Sequence, residues 1–265
     1  MIKILVLGHN GMLGSMVYSY FSNKPDVYEV LKLESRWGDE IFEKDIRKVG
    51  ADFIINCIGA IPQKHKDNVE IYQRLNVDLP LFLDSLGVKV VHPSTDCEFR
   101  GDLEVGELYT KKSFRDAEDV YGKSKAAASE KIEKNSVNTK IIRVSIIGLE
   151  KATNVSFLNW VLSSKGSVNG YTNHYWNGIT TLEWSHICEA LINDWNAYGV
   201  LNQFGTFPVV SKYEMVKKIC EVFGHKLEVI PIETSKMVNK CMESDCQLKT
   251  IEVQLMELKN YTKYE

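Results

Sequence analysis

The sequence predicts an α/β fold: a doubly wound parallel sheet with a smaller, interleaved C-terminal substrate lobe. Three observations predict it. Continuous, β-branched apolar runs end in glycine or hydroxyl residues, helix-period segments separate them, and the rhythm changes after Gly148. With 265 residues, 44% hydrophobic and 25% charged, the chain is large enough to bury a substantial core.

The first run, "IKILVLG", is apolar and continuous from Ile4 to Leu7, as a parallel strand covered on both faces should be. Met12 to Phe21 reads as a helix that stops before Pro25. "YEVLKL" is a second strand, and Glu40–Val49 a short helix. "DFIINCIG" is a buried strand ending in glycine, and "VEIYQRLNVDLPLFLDSLG" is helical over much of its length, with Gly87 as its cap. "VKVVHPST" and "TKIIRVSIIG" are strands joined by a helix from about Val120 to Lys134. Beyond Gly148, Asn154–Ser164 and "LEWSHICEALINDW" read as helices, "GVLNQFG" as a short strand and "SKYEMVKKICEVFG" as an amphipathic helix. "GSVNGYTNHYWNGITT" between them is polar, aromatic and loop-like. The expected division is 1–148 plus about 179–209 for the sheet domain, and about 149–178 plus 210–265 for the lobe.

Several function classes are disfavoured. The net charge is −3 and no lysine- or arginine-rich block stands out, so nucleic acid is not an expected partner. No apolar run approaches the ~20 residues that span a bilayer, and the opening strand is too short for a signal sequence. The 6 cysteines are dispersed without a C-x-x-C pair, which points to reduced thiols in the cytoplasm and no zinc site. No histidine pair has metal-ligand spacing, and no metal is predicted.

Gly8, Gly11 and Gly14 lie three apart between the first strand and the first helix. There the first permits a tight turn, the second lets backbone approach a pyrophosphate, and the third lets helix and strand pack closely. The spacing resembles that of extended short-chain dehydrogenase/reductases. The second strand lacks a clear terminal aspartate for a ribose hydroxyl, whereas Arg36 could pair a 2′-phosphate, so NADP(H) is preferred and NAD(H) is the alternative.

A tyrosine four residues before a lysine occurs at Tyr20/Lys24, Tyr28/Lys32, Tyr121/Lys125 and Tyr213/Lys217. Position selects Tyr121/Lys125, which opens a helix after the strand ending "VHPSTD". On that helix the ammonium shares a face with the phenol and should lower its pKa for proton exchange with an alcohol or ketone. Thr95, with Ser94 as the alternative, is the hydroxyl that would bind the same oxygen.

With "GHNGMLG", "DFIINCIGAI", "LNVDLP", "PSTDCEFRG", "DVYGKSK", "IIRVSIIG", "NHYWNGITTLE" and "SKYEMV" in this order, the chain resembles the dTDP-4-dehydrorhamnose reductase (RmlD-like) group of extended short-chain reductases. The resemblance implies NADPH-dependent reduction of a nucleotide-linked 4-keto-6-deoxy sugar in bacterial surface polysaccharide synthesis. It implies Thr95, Tyr121 and Lys125 as catalytic residues. Gly8, Asn10, Gly11, Met12, Leu13 and Gly14 would form the pyrophosphate loop, and Cys57, Ile58 and Gly59 would border the cofactor. Asn173, Trp176 and Thr180 fall in the segment that varies with the sugar nucleotide and are assigned to substrate. A homodimer is compatible with the group.

Cys97 and Glu98 depart from the group's pattern, where tyrosine and valine are usual. Cys97 also disfavours a 4,6-dehydratase, which carries "TDE" at this strand end. Two alternatives remain: an epimerase using Cys97 with His174, and a non-catalytic NADP-binding subunit similar to the regulatory beta subunit of methionine adenosyltransferase.

Overall fold

The computed structural model describes residues 1–150 and 155–263. Strand β1 (Ile2–Leu7) buries Ile4, Leu5 and Val6 completely, as expected of a strand with helices on both faces. Helix α1 (Met12–Ser22), β2 (Tyr28–Leu31), α2 (Phe42–Lys48) and β3 (Phe53–Asn56) follow. Beyond the short α3 (Pro62–His65), α4 (Val69–Tyr72) runs through a π-helical stretch, Gln73–Asp78, into α5 (Leu79–Asp84). Pro80 has no N–H to return to the Asn76 carbonyl, so the hydrogen-bond register widens there. Next come β4 (Lys89–Ser94) and α6 (Val120–Asn135), the latter capped by Asp119, which accepts from the Gly122 amide at 2.8 Å.

The predicted strand "TKIIRVSIIG" is divided. Its first part is β5 (Thr139–Arg143), and Ile146–Ile147 form a separate β6. The break lets the chain leave the main sheet: the Ser145 carbonyl accepts from the Ile179 amide at 2.9 Å. Helix α7 spans Phe157–Ser163; the expected start at Asn154 lies outside the described residues.

The segment expected to be a loop contains β7 (Ser167–Tyr171), β8 (His174–Trp176) and β9 (Ile179–Thr180). These strands are two to five residues long, so no period-2 apolar pattern marks them. The chain continues through α8 (Thr181–Asn193), β10 (Leu201–Gln203), β11 (Val210–Ser211), α9 (Lys212–Phe223), β12 (Glu228–Ile232), β13 (Val238–Asn239) and α10 (Ile251–Lys263). Helix α9 opens with a capping box between Ser211 and Glu214.

The central sheet is parallel throughout, in the order β10-β5-β4-β3-β1-β2. From β1 the chain first moves outward to β2 and then crosses back to β3. Leu7 and Asn56 lie side by side where the winding reverses, which is where open α/β sheets form a ligand crevice. In the lobe, β8 lies between β11 and β13, β7 pairs with β12, and β6 pairs with β9.

Side-chain alternation along β1 serves two cores. Leu5 and Leu7 pack with Ile54, Leu79, Leu83 and Val90 on one face. Ile4 and Val6 join a larger cluster with Phe21, Trp184 and Leu191, and also with Ile219 of α9 and Leu255 of α10. Each such side chain stabilises the fold by about 1.5–3 kcal/mol. The C-terminal helices therefore share a core with the sheet. At its rim Glu189 ties α1 to α8, lying 2.6 Å from Lys24 Nζ and accepting from the Tyr20 and Tyr28 hydroxyls at 2.5 and 3.0 Å.

Candidate active site

At the carboxyl ends of the parallel strands lies a cleft of about 670 Å³, lined in part by Gly11, Met12 and Leu13, by Cys57, Ile58 and Gly59, and by Thr95, Tyr121 and Lys125. These predicted residues come from four separate stretches: the glycine loop, the end of β3, the end of β4 and the start of α6. The winding of the sheet brings them together.

The glycine loop has the geometry of a cradle. Gly8 sits at φ 77°, and the Gly11 amide donates to its carbonyl at 2.9 Å. A Cβ on Gly14 would lie 2.1 Å from the Gly8 oxygen, so no other residue lets the helix approach the strand this closely. Helix α1 starts without a side-chain cap, which leaves its first amides to an anion. Gly8, Asn10 and Gly14 shape the turn without lining the cleft itself. Arg36 is exposed on the loop after β2, where its own backbone amide donates to Asp39 at 2.6 Å.

Thr95 caps the turn Asp96–Glu98. Its hydroxyl accepts from the Cys97 amide at 3.1 Å and donates to Asp96 at 3.0 Å. Lys125 Nζ donates to the Pro93 carbonyl at 2.7 Å, which fixes it under the end of β4. Burial lowers its pKa to about 8, against the opposing pull of Glu98. Burial raises the pKa of Tyr121 above the ordinary phenol value, and the neighbouring Thr95 works the other way. The phenol is thus held protonated, the reverse of the direction expected from the Tyr-Lys pair alone. Burial is the largest cause, and the nearby Cys97, Asp96 and Asp119 act in the same direction.

The other Tyr-Lys pairs go elsewhere. Tyr20, Lys24 and Tyr28 serve the Glu189 junction, and Lys217 Nζ sits over the Tyr213 ring at 5.4 Å.

The residues assigned to substrate do not reach the cleft lining. Asn173 is buried and exchanges hydrogen bonds with Thr234. Trp176 is 4% exposed and donates to Ser145 Oγ at 2.8 Å. Thr180 is fully buried and caps α8. Each has a structural partner that sequence spacing could not show. His174 is likewise occupied, with Nε2 2.8 Å from Thr234 Oγ1, whereas Cys97 lines the cleft. Of the pair expected for an epimerase, Cys97 lines the cleft and His174 does not.

Asn76, Asp96, Lys64 and Glu150 also line the cleft and escaped the sequence reading. Lys64 Nζ reaches Glu150 at 2.6 Å. Asn76 lies in the π-helical stretch, where Pro80 four residues on was the available signal. Outside the cleft, Glu183, His186 and Glu257 present ligand atoms within 4.8 Å of one another, but Lys249 is paired with Glu257 at 2.5 Å.

A family model described as the RmlD substrate binding domain matches residues 2–264. The chain belongs to this family. No curated protein matches the sequence. Among solved structures, the dTDP-4-dehydrorhamnose reductase of Clostridium acetobutylicum is 18% identical, with a TM-score of 0.83 over 99% of this chain and 100% of that one. The dTDP-4-dehydrorhamnose reductase of Bacillus anthracis, solved with NADP, is 18% identical with a TM-score of 0.84 at the same coverage. The dTDP-glucose 4,6-dehydratase of Bacillus anthracis, solved with NAD, is 16% identical with a TM-score of 0.79, covering 100% of this chain and 98% of that one. The winding of the sheet and the interleaved lobe are thus shared across RmlD-like and related folds. Among the described residues no helix is long and apolar enough to cross a membrane.

Proposed function

We propose that this protein is an NADPH-dependent reductase of a nucleotide-linked 4-keto-6-deoxy sugar. One observation carries the reading: Thr95, Tyr121 and Lys125 line a single cleft with the glycine loop. The tight Gly8–Gly14 approach and the uncapped start of α1 suit a dinucleotide, held by the loop, by Cys57–Gly59 and by Lys125 at the ribose. When bound, the dinucleotide supplies hydride. Tyr121, protonated at neutral pH, gives its proton to the carbonyl oxygen. Thr95 turns its hydroxyl from Asp96 to that oxygen and orients it. Lys125 supplies a positive charge that steadies the developing phenolate. Arg36, exposed beyond β2, is the group for a 2′-phosphate, with NAD as the weaker alternative.

In this reading, 1–148 plus about 179–209 form the sheet domain and about 149–178 plus 210–265 the lobe, with a shared core joining the two parts. The bacterial reductases of the same fold support a dTDP-linked substrate. An epimerase has less support, because His174 is tied to Thr234.

The test is loss of NADPH absorbance with dTDP-4-dehydrorhamnose, then with UDP-, GDP- and CDP-linked 4-keto-6-deoxy sugars. Tyr121→Phe should lower turnover by about 10²–10⁴-fold, whereas Tyr213→Phe should leave it intact. A wild-type protein that binds NADPH but turns over none of these sugars would instead be a binding subunit.

A further inference from the structure

Glu98 is fully buried, and its carboxylate meets four side chains from separate parts of the fold. Oε1 accepts from the hydroxyls of Ser94 and Ser129, the latter at 2.5 Å. Oε2 accepts from Arg115 Nε at 2.7 Å and forms an ion pair with Arg143 Nη2 at 2.7 Å. Arg115 also pairs with Glu133 of α6, and Arg143 Nη1 donates to Gln203 Oε1 at 3.1 Å. Burial works to raise the Glu98 carboxyl, but Arg143, Arg115 and the two serines reverse this and hold it below the ordinary value. It is therefore a fixed negative charge.

Its place in the chain gives this hub a second meaning. Ser94 immediately precedes Thr95, and the Glu98 amide itself donates to the Thr95 carbonyl at 3.3 Å. Ser129 lies one turn beyond Lys125 on α6. One carboxylate thus grips the strand end that carries Thr95 and the helix that carries Tyr121 and Lys125. Apolar packing could join β4 to α6 equally well, so the buried charge asks for a reason beyond stability.

We propose that Glu98 is a positioning residue for the active site, fixing the Thr95 end of β4 against the Tyr121–Lys125 helix. The inference rests on the reading of these three residues as the reacting groups. The same carboxylate supports the positive charge of Lys125. The charged and titratable groups around the two are Arg115 before α6, Arg143 on β5, Glu133 on α6 and His92 on β4, the last held neutral by burial and by Lys125.

The experiment follows the titration of Lys125 by NMR in the full chain labelled with ¹³C-lysine, its signal assigned by loss in Lys125→Arg. Glu98→Gln keeps the shape and removes the charge. The Lys125 midpoint should fall by about half a unit or more. Turnover of dTDP-4-dehydrorhamnose should drop, and its alkaline limit should move to lower pH. A merely structural role would lower the melting temperature and leave the Lys125 midpoint in place, which would overturn the proposal. If Glu98→Gln does not fold, Ser129→Ala decides. Hydrogen exchange of the Cys97 and Glu98 amides, both bonded to Thr95, should then quicken about tenfold, and unchanged exchange would overturn the proposal. A wild-type chain that does not reduce the sugar would remove the reductase reading, while the Lys125 midpoint would still judge Glu98.

Discussion

Asn76 offers the sharpest test of how the cleft is built. Its side chain is fully buried and makes three hydrogen bonds. Oδ1 accepts from the Ala60 amide at 2.8 Å, while Nδ2 donates to the Ala60 carbonyl at 3.1 Å and to Ser124 Oγ at 3.0 Å. It therefore clamps the loop after β3 to α6. Asn76→Ala strands the Ala60 amide in a fully buried residue, at about 1–3 kcal/mol. The orphaned carbonyl adds about 1 kcal/mol. Ser124 loses least, because its hydroxyl still donates to the Tyr121 carbonyl at 2.7 Å. The sum is a loss of about 2–4 kcal/mol, read from equilibrium urea unfolding. Affinity for NADPH should weaken as well, because Gly59 and Ala60 line the cleft. Asn76→Asp keeps the acceptor and loses both donors, so it should also destabilise. A change within about 0.5 kcal/mol in the alanine variant would refute the clamp, since surface-like substitutions have effects of that size.

The remaining predictions concern pH, cofactor choice and the lobe. Lys125 has its pKa lowered to about 8, so it is charged below that pH and loses its charge as pH rises through it. The reductase rate should be level near neutrality and fall through about pH 8; a limb no lower than about 10, the ordinary lysine range, would contradict the assignment. Arg36→Ala should weaken NADPH by about ten- to a hundredfold and leave NADH nearly untouched, by fluorescence titration; equal losses would make Arg36 a structural residue. Trp176→Ala should cost about 3–5 kcal/mol of stability, because the ring is buried and its indole bonds to Ser145. If Trp176→Ala instead keeps the wild-type melting temperature and loses nucleotide binding, the side chain belongs to the substrate site after all.

The sheet was legible because its strands are covered on both faces. "ILVL" at Ile4–Leu7 and "FII" at Phe53–Ile55 are continuous apolar runs, and such a run admits few readings when glycine follows and a helical period comes next. The lobe was not legible for the converse reason. Strands β7, β8 and β9 find their partners in β12, β11, β13 and β6, far away in the chain, and at two to five residues they are too short to show an alternation. A two-residue strand such as β6 exists only because β9 is beside it. Pairing of that kind is a tertiary fact.

The site divides in the same way. The glycine loop announces itself because backbone geometry demands glycine whatever the surroundings. Tyr121 and Lys125 could be told from three similar pairs because only they open the helix that follows the strand leading into Thr95. Trp176 is ambiguous in the sequence because a large aromatic in a polar stretch is equally at home in a pocket or in a small core; its bond to Ser145 becomes visible only in the fold. Glu98 shows the hardest case. A glutamate after "TDC" reads as solvated by default, and its meaning depends on Arg115, on Arg143 forty-five positions away, and on two serines. A buried charge is intelligible through its partners, and those partners become neighbours only when the winding order β5-β4-β3 is set. The protonation of Tyr121 follows the same logic. The Tyr-Lys spacing alone argues for a lowered pKa, yet the closed surroundings of the phenol raise it, which suits a proton donor.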